Sequence, residues 1–199
     1  MSQEQSLVII LDFGSQYTQL IARRIREMSV YCEIRPCTEG PPKDPAQRAR
    51  IQGLVLSGGP SSVYDEDAPP FDENWLNLGV PVLGICYGMQ LLARTHGGRV
   101  GKAERREYGH ADLQLNEASG LFEEVSLSTP VWMSHGDHVE VLPEGWTSLA
   151  QTPNCPVTAM GDKGGTRFGI QFHPEVTHTH QGTQMLRNFV LRICCATAD

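Results

Sequence analysis

The stretch at residues 80–90, Val80-Pro81-Val82-Leu83-Gly84-Ile85-Cys86-Tyr87-Gly88-Met89-Gln90, leaves the chain few ways to fold. Its apolar run is too short for a long helix and leads into a cysteine bracketed by Gly84 and Gly88. An amphipathic segment with Met89, Leu91 and Leu92 follows, so the spacing predicts strand, sharp turn, helix. At such a turn the central residue is held in a strained backbone conformation, and glycines two residues to either side let strand and helix approach it. The pattern matches the G-x-nucleophile-x-G elbow, with a thiol in place of the hydroxyl. A thiol at a helix N-terminus also meets free amides and the positive end of the helix dipole, which favour the thiolate. The competing reading is an ordinary buried cysteine, because free Cys packs well as a small core hydrophobe.

The surrounding chain fits a layered α/β arrangement. Leu7-Val8-Ile9-Ile10-Leu11 is an unbroken apolar run of the kind buried on both faces of a parallel sheet. It ends at Asp12-Phe13-Gly14-Ser15, where Ser15 is placed to cap a helix whose apolar side carries Leu20, Ile21, Ile25 and Met28. Residues 30–34 alternate as a strand, 40–45 form a Gly- and Pro-rich turn, 46–50 a short helical piece, and 53–57 the next central strand. A short helix is expected at 71–78, a helix at 87–96 after the elbow, and a final helix at 184–193. Between them, 99–172 favours short strands, with candidates at 112–115, 131–134, 138–142, 147–150, 156–160 and 167–172. No flexible linker divides that region off, so it is expected to extend the sheet. The reading is one domain over 1–199, an α/β three-layer sandwich with a central, mostly parallel sheet flanked by helices and a small antiparallel extension.

Composition narrows the partners. With 199 residues the chain suits one buried core better than two. Sixteen Lys and Arg against 23 Asp and Glu give a charge of -7, and neither Arg23, Arg24 and Arg26 on their helical pattern nor the short Arg105-Arg106 pair makes a nucleic-acid surface. Six cysteines at 32, 37, 86, 155, 194 and 195 make no C-x-x-C pair, which argues against a zinc ribbon or a disulfide framework. The apolar residues 7–11 stop at Asp12 without a basic leader, and no run approaches membrane-spanning length, so a cytoplasmic protein without membrane contact is expected.

Two further segments carry chemistry. Gly58-Gly59 follows a strand and can present successive amides to an anion or a developing oxyanion, although a tight surface turn explains it as well. Asp65-Glu66-Asp67 nearby makes phosphate an unattractive guest. In Gln171-Phe172-His173-Pro174-Glu175, a chain extended through 175 places His173 and Glu175 on one side. The carboxylate then fixes one ring nitrogen and leaves the other for Cys86, a Cys-His-Glu triad. The alternatives are a strand-end histidine beside a solvated glutamate, or a metal site from His173, Glu175, His178 and His180. That cluster is loose and explains neither the elbow nor the glycine pair, so no metal is expected. Asp12-Phe13-Gly14 has the letters of a kinase motif but no preceding lysine strand or catalytic loop, and neither Gly58-Gly59 nor Gly97-Gly98 belongs to a Rossmann or P-loop fingerprint.

Five segments together carry a resemblance: Ile10-Leu11-Asp12-Phe13-Gly14-Ser15-Gln16-Tyr17, Leu56-Ser57-Gly58-Gly59-Pro60, residues 84–90, Val131-Trp132-Met133-Ser134-His135-Gly136-Asp137, and Gln171 through Thr179. By these the chain resembles the triad, or class I, glutamine amidotransferases, and more narrowly the amidotransferase domains of the GMP synthase family. The resemblance implies that Cys86 attacks the side-chain amide of L-glutamine, that His173 acts as base and then as acid for departing ammonia, and that Glu175 orients His173. It also implies an oxyanion hole from the amides of Gly59 and Tyr87, and a glutamine pocket lined by Gln90, Ser134 and His135. The implied partner is an ATP-pyrophosphatase domain that uses ATP and Mg to activate xanthosine monophosphate (XMP) and receives the ammonia. No Ser-Gly-Gly-x-Asp-Ser loop occurs in this sequence, so the chain itself is expected to need no cofactor and to make ammonia without making GMP. Two other classes stay in view: a regulatory binding protein that keeps the fold with little turnover, and a cysteine peptidase or other thiol hydrolase.

Overall fold

The computed structural model describes residues 5–198, apart from the side chains of Glu104 and Arg105. The arginine pair at 105–106 is therefore placed only through Arg106.

Strand β1 (Leu7–Asp12) divides its side chains between two cores, as strand geometry requires. Val8 and Ile10 pack with Ile21 and Ile25 of helix α1 (Thr18–Arg26) on one face of the sheet. Leu7, Ile9 and Leu11 join the other core, where Met89 and Leu92 of the elbow helix and Trp75 cover them. Both faces are dry, which is why residues 7–11 show no polar alternation. Beside β1 lie β2 (Cys32–Pro36) and β3 (Ile51–Leu56), the latter entered through the exposed helix α2 (Pro45–Arg50). Strand β4 (Val82–Ile85) leads through Cys86 into α3 (Tyr87–Thr95).

After α3 come β5 (Arg99–Leu115), β6 (Ser128–Val141), β7 (Trp146–Thr152), β8 (Cys155–Asp162) and β9 (Arg167–Ile170). The described residues form one nine-stranded sheet in the order β2-β1-β3-β4-β9-β8-β7-β5-β6. The first five strands of that order are parallel, and the pairs from β9 to β6 are antiparallel. The architecture is thus the expected α/β sandwich, with an antiparallel part larger than the small extension anticipated. Long strands account for the difference: the candidates at 131–134 and 138–142 are a single strand, because β6 keeps pairing with β5 on both sides of Gly136.

Three local readings change. Ser15 does not cap α1; its hydroxyl accepts from Tyr17 N at 3.0 Å, and the helix starts at Thr18. The loop consumes the hydroxyl in a local turn, while Asp12 Oδ1 accepts from Gly14 N at 2.9 Å and Thr18 Oγ1 at 2.8 Å. The short helix expected at 71–78 is a 3-10 helix, Glu73–Leu78. The final helix begins as α4 (Gly182–Arg187) and widens into a π-helical turn over Asn188–Ile193, where Asn188 donates to the carbonyls of Leu121 and Glu123 at 2.9 and 2.7 Å. No helix among the described residues is long and apolar enough to cross a membrane.

Candidate active site

Cys86 sits between β4 and α3 with φ 52° and ψ -106°, a conformation that crowds a Cβ and persists only when its surroundings hold it. Those surroundings are the neighbouring strands. Cys86 N donates to Ile170 O of β9 at 2.8 Å, and Gly88 N donates to Ser57 O beyond β3 at 3.1 Å. A Cβ at Gly88 would overlap the Leu56 carbonyl, so the approach of α3 to β3 admits only glycine there. The fold thereby pushes the Cys86 side chain toward a cavity shared with His173, Tyr17 and Ser134.

The chain leaves the sheet at Ile170 and turns at Pro174 and Glu175, so it is not extended through 175 as the sequence suggested. His173 and Glu175 nonetheless meet, Nδ1 to Oε1 at 2.7 Å. The turn is fixed from outside: His173 N donates to Trp132 O at 3.0 Å, Thr179 Oγ1 donates to His173 O at 2.6 Å, and Arg24 Nε donates to Glu175 O at 3.1 Å. Proline opens a turn here instead of prolonging a strand, and the carboxylate reaches the ring across that turn. Both side chains are buried. Burial alone would push the His173 pKa down, but hydrogen bonds to Cys86 and Glu175 and their negative charge outweigh it and raise it to about 10. The ring therefore holds its proton at neutral pH while facing the Cys86 sulfur. Tyr17 stacks edge-on against it at 5.1 Å.

Tyr87 opens α3, so its amide has no intrahelical acceptor. Among the described residues the Gly59 and Tyr87 amides have no hydrogen-bond acceptor, and both residues line a cavity of about 410 Å³ that also meets Cys86. Gln90, Ser134 and His135 line it too. Gln90 Nε2 donates to Asp137 O at 3.0 Å and lies 3.2 Å from Gln171 Oε1, while Gln171 Nε2 donates to Cys86 Sγ at 3.5 Å. Ser134 O lies 3.6 Å from Cys86 Sγ. His135 is held on both sides, Nδ1 at 2.8 Å from Asp137 O and Nε2 at 3.2 Å from Glu107 Oε2, and burial lowers its pKa.

The sequence reading assigned no role to Glu107, Gln171 or Thr179. Gln171 stands two residues before His173, a spacing that could have flagged it; Glu107 and Thr179 give no local signal. His178, which the alternative metal reading grouped with His173, Glu175 and His180, stacks on Trp132 at 4.6 Å and lies 5.5 Å from the His110 ring. Among the described residues, the metal-ligand types that do converge are Glu107, His135 and Cys155, within 4.8 Å of one another. Their atoms already have hydrogen-bond partners: Glu107 accepts from Thr152 Oγ1 at 3.0 Å, and Cys155 Sγ donates to Val157 O at 3.4 Å.

A protonated imidazole facing a sulfur, with two uncommitted amides nearby, is an arrangement suited to attack on an acyl carbon. Residues 9–193 match the family Glutamine amidotransferase class-I, and the chain belongs to that family. It is 47% identical over 199 residues to a glutamine-hydrolysing GMP synthase of Heliobacterium modesticaldum, covering 100% of this chain and 38% of the relative. A GMP synthase of Maridesulfovibrio salexigens is 49% identical over 199 residues, covering 99% and 38%. The chain thus spans 38% of the length of these relatives. The structure of a protein from Thermoplasma acidophilum, assigned as one component of a GMP synthase, superposes with a TM-score of 0.81 at 29% identity, covering 97% of this chain and 96% of that one. A glutamine amidotransferase structure from Thermotoga maritima has the same fold, with a TM-score of 0.79 at 20% identity, covering 96% and 99%.

Proposed function

We propose that this chain is one amidotransferase domain that hydrolyses L-glutamine to glutamate and ammonia through a thioester on Cys86. The observation that carries the reading is the His173 ring, held by Glu175 at 2.7 Å and kept protonated beside the Cys86 sulfur. With the thiol proton resident on His173, the Cys86 sulfur attacks the carboxamide carbon as the thiolate, and the oxygen that gains charge is received by the amides of Gly59 and Tyr87. His173 gives its proton to the nitrogen, the C–N bond breaks, and ammonia leaves with a thioester behind. Water then attacks the thioester carbon and returns a proton to His173, and the C–S bond breaks to release glutamate. Gln90, Ser134 and His135 shape the wall against which the substrate lies.

The ammonia is consumed by an ATP-pyrophosphatase domain that converts XMP to GMP with ATP and Mg. Similarity to GMP synthases over the whole chain supports this partner. Six unpaired cysteines support a reducing, cytoplasmic setting. The test is ammonia release from glutamine, measured with and without a separately supplied ATP-pyrophosphatase domain, ATP and XMP. Acceleration by the loaded partner is expected; activity on peptides or esters but not on glutamine would reject the reading.

A further inference from the structure

Strands β5 and β6 pair at Lys102 and Asp137, and resume at Glu107 and His135. Residues 103–106 of β5 therefore bulge opposite the single Gly136 of β6. The bulge is pinned at its end by two buried side chains, with Glu107 Oε2 and His135 Nε2 at 3.2 Å. The other ring nitrogen, Nδ1, lies 2.8 Å from Asp137 O, a carbonyl that only accepts, so Nδ1 carries a proton. A neutral His135 then turns the bare lone pair of Nε2 toward a carboxylate oxygen, and two acceptors face each other away from water. No Lys or Arg pairs with Glu107 among the described residues. A positive partner, either a proton or a metal ion, is needed between them.

A third group decides between the two. Cys155, at the start of β8, is buried, and its Sγ, a Glu107 carboxylate oxygen and a His135 ring nitrogen lie within 4.8 Å of one another. A proton shared by Glu107 and His135 makes no use of this sulfur, whose own contact, 3.4 Å to Val157 O, is that of a weak thiol donor. We propose that Glu107, His135 and Cys155 bind Zn²⁺, which ties β5, β6 and β8 together. Thiolate, imidazole and carboxylate form a donor set that suits zinc, whereas magnesium and calcium take oxygen ligands. A backbone carbonyl on the second ring nitrogen is the kind of partner that fixes the tautomer and orientation of a ligating imidazole. On binding, the Cys155 proton leaves to solvent, and two anionic ligands balance the two charges of the ion, so the buried centre is neutral. Glu107 also lines a cavity of about 320 Å³ with His110, Asp112 and Asn154, a polar way in for the ion and for the water that completes its shell. The site stands apart from the glutamine reading and holds or fails without it.

The test is a Co²⁺ titration of the intact chain carrying Cys86→Ala and Cys195→Ser, which removes the thiol of the active-site cavity and the exposed one. Cobalt takes the place of zinc and reports a bound thiolate by a sulfur-to-metal charge-transfer band. The band is expected to saturate at about one ion per chain and to disappear as excess zinc displaces the cobalt. Adding Cys155→Ser is expected to abolish the band and to weaken zinc binding by at least about tenfold to a hundredfold, which is what even an outer partner of a ligand is worth. Adding Cys37→Ser, at another buried thiol, is expected to preserve both. A second measurement needs no change at 155: excess zinc should slow alkylation of Cys155 by N-ethylmaleimide about tenfold or more and leave Cys37 unaffected. A folded chain that gives no band, a band that survives Cys155→Ser or is lost equally with Cys37→Ser, or alkylation of Cys155 at the same rate with and without zinc overturns the assignment.

Discussion

The parallel and antiparallel halves of the sheet build the site by different means. In the parallel half, short buried strands end in tight turns, and the candidate catalytic residues lie at those ends: Cys86 after β4, Gly59 after β3, His173 after β9. Cys86 is set by a backbone hydrogen bond to Ile170 of the adjacent β9, and His173 by one to Trp132 of β6 at the far end of the sheet order. In the antiparallel half, β5 and β6 are long and irregular, and they bring Arg106, Tyr108, Ser134, His135 and Asp137 to one side of the cavity. Under the proposed function, the first half carries the bond-breaking groups and the second supplies part of the wall against which the substrate lies.

The sharpest way to break that division is to remove the thiol. Cys86→Ala should lower ammonia release by roughly three orders of magnitude or more, since no other group forms the acyl intermediate. Activity near the parent rate would mean that the parallel half does not hold the nucleophile.

The next effect separates the two groups behind it. His173→Ala should reduce turnover by about a hundredfold to ten thousandfold, the usual worth of a positioned acid-base group. Glu175→Gln should cost less, because the amide can still meet Nδ1 across its 2.7 Å contact. It should also change the pH profile. Glu175 is one of the groups that raise His173 to about 10, so losing its charge moves the basic limb to lower pH. A limb that stays in place would show that Glu175 does not tune the ring.

In the antiparallel half, Glu107→Ala should act on substrate affinity more than on turnover. It leaves His135 Nε2 and the Thr152 hydroxyl buried without their Glu107 partner, at about 1–3 kcal/mol of stability for each orphaned group. The pinned end of the bulge loosens, and KM for glutamine should rise. Glu107→Gln keeps an acceptor for Thr152 and offers an amide to His135, so it should recover most of both losses. Kinetics with urea unfolding checks this, and a fall in kcat at constant KM would contradict the division of labour.

Legibility in the sequence follows the same boundary. The elbow was readable because strand, glycines and helix lie within a dozen residues and their constraint is local. His173 and Glu175 were readable as a pair, but for a reason the structure replaces: their contact depends on a turn held by Trp132, Thr179 and Arg24, all distant in sequence from Cys86. Glu107 and Arg106 were not readable as site residues. Their places depend on a register shift between β5 and β6, which alternation along one strand does not reveal. The lengths of those strands were missed for the same reason, since only pairing with a partner shows that 131–134 and 138–142 are continuous.

The smallest expected effect opposes the two halves through their histidines. The His135 pKa is lowered from 6.5, chiefly by burial. The unfolded chain therefore takes up the proton first on acidification, and stability associated with neutral His135 is present above about pH 6.5 and lost as pH falls below it. His173 has the opposite sign. Its pKa is raised from 6.5 to about 10, so the stability gained from its protonated ring is full below about pH 6.5 and drains away as pH rises toward 10. The antiparallel half should thus weaken on the acid side and the parallel half on the alkaline side. Each site contributes a slope of at most about 1.4 kcal/mol per pH unit, the limit for one proton. Urea unfolding at about pH 5, 7 and 9 reads both limbs. His135→Gln should flatten the acid limb alone, and His173→Gln the alkaline limb alone. If His135→Gln leaves the acid limb unchanged, burial of that ring is not what the antiparallel half gives up at low pH, and the loss must come from its carboxylates.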